Sequence, residues 1–251
     1  MSDRQLLITR IDDTLTGDSW ALRCFADWYE TNSDRVTLAY CSWRLLDEVE
    51  EFLERNSLPD PDEVIGGSGT ELHHYPTGEP IRGWGSNVDH WDAGRVREHL
   101  TSVESLSIDC DVPQIPLRVR CVAPNLSAID LHGIRRRLKD VDLRVRLVYD
   151  DHETLDVLPE GIGKASAAAF LARQWQFNDD EVLVSAASVT DIDLFQRRFR
   201  GIVPANAHPA LKRLPTPRIH QSRLACAAGV LDGIGHFDPG DLPPVAIGAA
   251  S

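Results

Sequence analysis

Gln5-Leu6-Leu7-Ile8-Thr9-Arg10-Ile11-Asp12-Asp13 is the stretch on which the reading of this chain turns. Its apolar run is nearly continuous, too short for a helix, and stops abruptly at two carboxylates. Strands buried on both faces look like this, and such strands belong to parallel sheets. Val36-Thr37-Leu38-Ala39-Tyr40-Cys41 repeats the pattern and again stops at a polar residue, Ser42. After the first run Trp20, Phe25, Trp28 and Tyr29 recur at roughly helical spacing, and after the second Leu45, Leu46, Val49, Phe52 and Leu53 do so. The opening is therefore β-α-β-α, the start of an α/β core.

Further along, Glu63-Val64-Ile65 and Glu71-Leu72-His73-His74-Tyr75 flank Gly66-Gly67-Ser68-Gly69-Thr70. That loop lacks the Gly-Lys-Ser/Thr ending and the following helix of a phosphate-binding loop, so it reads as a turn. From Pro80 the texture changes: Leu106–Ile108, Leu117–Val122 and Leu143–Tyr149 alternate apolar and polar residues, as half-exposed antiparallel strands do. Two helical patterns lie between them, through Val96, Leu100 and Val103 and through Ile129, Ile134 and Leu138, the second carrying Arg135-Arg136-Arg137 on a solvated face. Strand–helix alternation then resumes, with a helix over Lys164–Gln174, a strand over Val182–Ser185, a helix through Leu194, Phe195 and Phe199, and a strand over Gly201–Val203. The expected organisation is a parallel-sheet α/β core, residues 1–79 and 157–251, interrupted by an α+β cap, residues 80–156. Two crossings near Pro80 and Pro159 predict a hinge between them. A Pro/Gly-rich tail begins at Asp238.

The balance of 26 basic against 39 acidic residues gives a net charge of −13, which repels nucleic acid and anionic lipid at long range. Neither is an expected partner. Five widely spaced cysteines (Cys24, Cys41, Cys110, Cys121, Cys226) without a CxxC pair argue against a disulfide framework and a zinc site. The first residues lack the pattern of a signal peptide and no run of 18 apolar residues occurs, so a soluble, cytoplasmic protein is expected. His73 and His74 occupy adjacent strand positions and face opposite ways, while His208, His220 and His236 show no ligand spacing.

In an open parallel sheet, ligands bind outside the carboxyl ends of the strands. The residues there are Arg10, Asp12 and Asp13 after the first strand, Ser42 after the second, and Ala187 to Asp191 after the strand at Val182; Lys164 joins them at a helix start. Lys164 is one of only three lysines, with Lys139 and Lys212. At these positions Ile8-Thr9-Arg10-Ile11-Asp12-Asp13-Thr14-Leu15 resembles the first motif of the haloacid dehalogenase superfamily, with sucrose-phosphate phosphatases bearing a type IIB cap as the nearest relatives. Gly69–Leu72, Leu155–Lys164, Ala205–Pro209 and Ala228–Gly233 are similar to further family segments in the expected order, so the resemblance spans nearly the whole chain. It implies a Rossmann-like parallel-sheet core with an inserted cap.

The resemblance also implies a chemistry: one carboxylate attacks phosphorus and ligates Mg²⁺, another two residues on serves as acid and base, a hydroxyl and a lysine hold the phosphoryl oxygens, and further carboxylates complete the metal shell. Here the nucleophile position is Arg10, and Asp12 keeps the acid/base position. The fourth motif reads Ala186-Ala187-Ser188-Val189-Thr190-Asp191, so a metal-ligand carboxylate is replaced by Ala187 and only Asp191 survives. The second motif becomes Ser42-Trp43-Arg44, which keeps a hydroxyl but puts a large ring, able to narrow the site, where a glycine is expected. Lys164 is retained.

Arg10, Ser42 and Lys164 are thus candidates for holding an anion, with Asp12, Trp43, Arg44, Thr190 and Asp191 in the cleft. Each has a plainer alternative: Arg10 pairing with Asp12 or Asp191, Asp12 and Asp13 as capping or turn residues, Lys164 as a solvated helix-start residue, Ser42 as a helix N-cap. Three functions remain open. One is a phosphatase fold that has lost its chemistry and binds a sugar phosphate or phosphate, or partners a glycosyltransferase such as a sucrose-phosphate synthase, with no cofactor. The second is a working Mg²⁺-dependent phosphatase that attacks through Asp12 or Asp13, at the cost of a shifted strand register. The third is a structural interaction protein with an empty cleft.

Overall fold

A computed structural model describes residues 4–86, 88–150, 152–215 and 217–238. The chain runs β1 (Gln5–Arg10), α1 (Ser19–Asn32), β2 (Val36–Cys41), α2 (Leu46–Asn56), β3 (Glu63–Gly66), β4 (Glu71–His74) and β5 (Glu79–Pro80). It continues through α3 (Ala93–Thr101), β6 (Ser107–Ile108), β7 (Val119–Val122), α4 (Ala128–Lys139), β8 (Val145–Tyr149) and β9 (Thr154–Pro159). It then returns with α5 (Lys164–Gln174), β10 (Val182–Ser185), β11 (Arg200–Val203), α6 (Pro209–Lys212), β12 (Ile219–Gln221) and α7 (Cys226–Phe237).

The larger sheet has the order β12-β11-β10-β1-β2-β3-β4-β5, parallel from β12 to β3 and antiparallel beyond. The continuous apolar runs follow from burial on both faces. Leu6, Ile8, Ala39 and Ile65 pack under α5, while Leu7, Leu38, Tyr40 and Val64 pack under α1, α2 and α7. Asp18 starts α1 by accepting from the backbone N–H groups of Trp20 and Ala21. None of the helices among the described residues is long and apolar enough to cross a membrane.

The inserted residues build a second sheet, β6-β7-β9-β8, antiparallel throughout, with α3 and α4 on one face. Pro80 ends β5 of the core sheet, and the second sheet runs through Pro159, past the expected crossing after Asp156. β9 is the strand that the alternation did not reveal, because Asp156 sits in its middle and is 3% exposed. The alternation over Leu117–Val122 does not mark exposure: Arg118, just before β7, and Arg120, within it, are both buried. Ile129 of α4 is 83% exposed, not part of the core.

Two further expectations are corrected. The segment through Leu194 to Phe199 is not a full helix. Within it only Leu194–Gln196 forms a 3-10 turn, following another at Val189–Asp191, and Arg197 is already extended ahead of β11. The first part of this connection brings Thr190 and Asp191 to the end of β10, and the extended backbone at Arg197 stops the second turn after Gln196. Ser42 does not cap α2; Leu45 holds that position, and its backbone N–H is taken by Glu48 Oε2 at 2.8 Å.

The glycine-rich loop is a turn, as expected, and it has a positional use. Gly69 adopts φ +93°, and a Cβ there would lie 2.2 Å from the carbonyl carbon of Gly163 and 2.3 Å from the Lys164 nitrogen. Only glycine lets this loop rest against the start of α5. Ser68 and Lys164 are thereby brought to the same cleft.

Candidate active site

The cleft lies between the two sheets, with a volume of about 830 Å³. Its floor comes from the carboxyl ends of β1 and β10 and the first residue of α5. Asp191, fully buried, is gripped there from two sides: Lys164 Nζ donates to Oδ1 at 2.6 Å and Arg10 Nη1 to Oδ2 at 2.9 Å. Arg10 Nη1 also donates to Thr190 Oγ1 at 3.3 Å. Burial on its own would raise the Asp191 pKa, but the charges and hydrogen bonds of Lys164 and Arg10 outweigh it and hold the carboxyl below its ordinary value. Burial works against the Arg10 guanidinium in the same way, and Asp191, with Asp12 beyond it, raises its pKa.

Asp12 is engaged elsewhere. Its Oδ2 accepts from Arg44 Nη1 at 2.5 Å, and that guanidinium stacks over the rings of Trp43 and Phe52, 4.7 and 4.2 Å from their centroids. Asp13 is a turn residue with φ +56°, and its carbonyl accepts from Asn206 Nδ2 at 2.6 Å. Lys164 is 5% exposed, so the solvated alternative does not hold for it.

The opposite wall belongs to the second sheet. Arg120 and Asp156 face each other across β7 and β9 and form a buried two-pronged pair, Nε to Oδ1 at 2.6 Å and Nη2 to Oδ2 at 2.7 Å. Asp156 Oδ2 also accepts from Ser68 Oγ of the core at 2.6 Å. The Arg120 guanidinium lies 5.0 Å from the Trp43 ring centroid. Two further ties cross between the sheets: Arg118 Nη1 donates to the Trp43 carbonyl at 2.9 Å and Arg146 pairs with Asp193 at 2.5 Å; within the core, Trp84 Nε1 donates to the Gly69 carbonyl at 3.2 Å.

Of the residues singled out in the sequence, Arg10, Asp12, Trp43, Arg44, Lys164 and Thr190 line the cleft, and Asp191 lies directly beneath them. Ser42 does not line it. That hydroxyl is buried and accepts from the Arg44 backbone N–H at 3.1 Å, so its candidacy as an anion contact is not supported by its position. Arg120, Asp156 and Ser68 were not legible as site residues. A polar residue centred in an apolar strand, as Asp156 is in Thr154–Pro159, is the one signal that could have singled out Asp156; Arg120 and Ser68 carry none.

The Mg²⁺ that the resemblance implies requires several oxygens converging on one point. Among the described residues no three His, Cys, Asp or Glu side chains do so. Both oxygens of Asp191 are taken by cations, Asp12 is turned to Arg44, and Ala187 supplies no carboxylate. This donor set does not fit a divalent cation. Nor is the nearby thiol a substitute nucleophile, since burial, the largest influence on Cys41, pushes its pKa up to about 12.

The chain is 30% identical to mannosylfructose-phosphate phosphatase of Agrobacterium fabrum, over 94% of its own length and 98% of that protein's. It is 26% identical to sucrose-phosphatase 1 of Nicotiana tabacum, of which it spans 60%. Its fold superposes on the sucrose-phosphatase of Synechocystis sp. PCC6803, solved with sucrose and phosphate, with a TM-score of 0.86, 25% identity and coverage of 94% and 98% of the two chains. The family model described as sucrose-6F-phosphate phosphohydrolase matches residues 3–238. With its parallel core sheet, inserted cap and interdomain cleft, the chain belongs to this sucrose-phosphatase-like family of the haloacid dehalogenase superfamily.

Proposed function

We propose that this chain is a non-hydrolysing member of its family that holds a sugar-type ligand between cap and core. One observation carries the reading: the residue at the end of β1, where the family's reaction needs an attacking carboxylate, is an arginine bonded to Asp191. A guanidinium cannot attack phosphorus. The register of β1 against β2, with Arg10 opposite Cys41, leaves Asp12 beyond the strand and held by Arg44, so a slipped motif finds no support. The sugar class is carried over from the relatives, whose names specify phosphorylated disaccharides.

Phosphate release from sucrose 6-phosphate and p-nitrophenyl phosphate across a Mg²⁺ titration tests this reading. No turnover is expected, because loss of an essential nucleophile lowers kcat by about 10⁶ in a well-studied hydrolase. Turnover of about 1 to 10³ per second, the ordinary range for enzymes, overturns it.

A further inference from the structure

We infer that the cleft selects an uncharged sugar over its phosphate ester; the inference rests on the non-hydrolysing reading. A phosphate dianion leaving water needs cations that are not already neutralised. Four cations line this cleft, and each is committed to a carboxylate: Arg10 and Lys164 to Asp191, Arg44 to Asp12, Arg120 to Asp156. Asp13 and Asp150 add two more carboxylates to the wall. Four cations therefore meet four lining carboxylates, Asp12, Asp13, Asp150 and Asp156, and the buried Asp191 makes a fifth. A dianion entering here would have to displace an existing partner and sit among acidic groups.

A polyhydroxyl ligand meets no such barrier. Each sugar hydroxyl both donates and accepts, and paired carboxylates and guanidiniums keep spare lone pairs and N–H groups for it. The cleft supplies both kinds of group, with the Arg44 and Arg120 guanidiniums stacked on Trp43 in its lining and a volume of about 830 Å³ for more than one ring. Two internal arrangements decide the selectivity: the floor triad Arg10–Asp191–Lys164, in which two cations share one carboxylate, and the Arg44–Asp12 pair beside it.

Calorimetry on the full chain with sucrose, sucrose 6-phosphate and inorganic phosphate tests this, with phosphate release measured in the same samples. Sucrose is expected to bind at least about ten-fold more tightly than its 6-phosphate, a difference of about 1.4 kcal/mol, and inorganic phosphate not to compete. In Asp12→Asn, which frees Arg44 at a partly exposed position and should fold, affinity for the ester is expected to rise about ten-fold relative to sucrose, the increment of one charge-assisted contact. Asp191→Asn, if it folds, should do the same through Lys164 and Arg10. Tighter binding of the ester by the unaltered protein, no binding of sucrose, or an unchanged preference in Asp12→Asn overturns the selectivity. Release of phosphate would instead overturn the non-hydrolysing reading.

Discussion

The two ends of the core sheet each bury one carboxylate, and they do opposite things with it. At the carboxyl ends Asp191 is fully buried between Lys164 and Arg10 and stays ionised, with its pKa lowered. At the start of β3, away from the cleft, Glu63 is equally buried, but no cation among the described residues compensates it. Burial first, then the charge of Asp62, push its pKa from 4.5 up to about 8, with Trp175 opposing only in part. The difference teaches that burial alone does not say whether a carboxylate is charged; the partners decide. It also separates a site where two cations converge on one carboxylate from a buried acid with no cation beside it among the described residues.

The largest effect should come from breaking the cationic end. Asp191→Ala strands the buried Lys164 beside the partly buried Arg10, and removing one partner of a buried pair costs about 3–5 kcal/mol. Urea unfolding measures it, and a loss below about 1 kcal/mol, the scale of an exposed pair, would show that water already screens the floor. A sharper intervention is Arg10→Asp, which places a third carboxylate beside Asp191 and Asp12. Its melting temperature should fall in the absence of Mg²⁺ and recover as Mg²⁺ is added, whereas the unaltered protein should show no such dependence. Equal responses of the two proteins would mean that Arg10 is not what denies the site to a cation.

The other end makes its prediction in pH. Asp191, with a lowered folded pKa, contributes stability that is present above its unfolded value of 3.8 and is lost as pH falls below it. Glu63 has a raised folded pKa, so between about 4.5 and about 8 the folded state holds a proton the unfolded state has released. Stability should therefore decline as pH rises through that window. Melting temperatures from pH 3 to 9 should show both limbs, and Glu63→Gln should flatten the alkaline one while leaving the acid one in place. A Glu63→Gln profile with the same alkaline slope would assign that limb to another group.

The same contrast explains what could be read from the sequence. The β1 and β2 runs were legible because burial on both faces leaves a local mark, and Arg10 and Ala187 stood out because they break a motif whose positions are fixed by strand ends. Lys164 was legible because lysine is rare in this chain. Arg120 and Asp156 were not, since a pair formed across two strands separated by a helix and a third strand has no local signature. Arg118 and Arg120 fill the polar positions of an alternating run and are nevertheless buried, so the alternation does not tell a wet face from a buried one. Ser42 is ambiguous for a related reason: a hydroxyl after a strand can cap a helix, contact a ligand or accept from the next turn's backbone, as Ser42 does from Arg44, and the sequence is the same in each case.

The smallest expected effect sharpens the comparison on the cap wall, where a third buried carboxylate, Asp156, takes one arginine and one hydroxyl. Ser68→Ala removes the hydroxyl but leaves the two-pronged Arg120 pair, so Asp156 keeps its counter-charge. The loss should be about 1.5–3 kcal/mol, the range for a hydrogen bond to a charged group, and so below that of Asp191→Ala. Ser68 also holds φ +63°, a left-handed conformation that costs an ordinary residue about 1–2 kcal/mol and glycine little. Ser68→Gly therefore loses the same bond while relieving that strain, and should be the more stable of the two variants. If alanine and glycine are equally stable, the loop has changed conformation and the hydroxyl does not hold it against the cap; if neither differs from the unaltered protein, Asp156 is held by Arg120 alone.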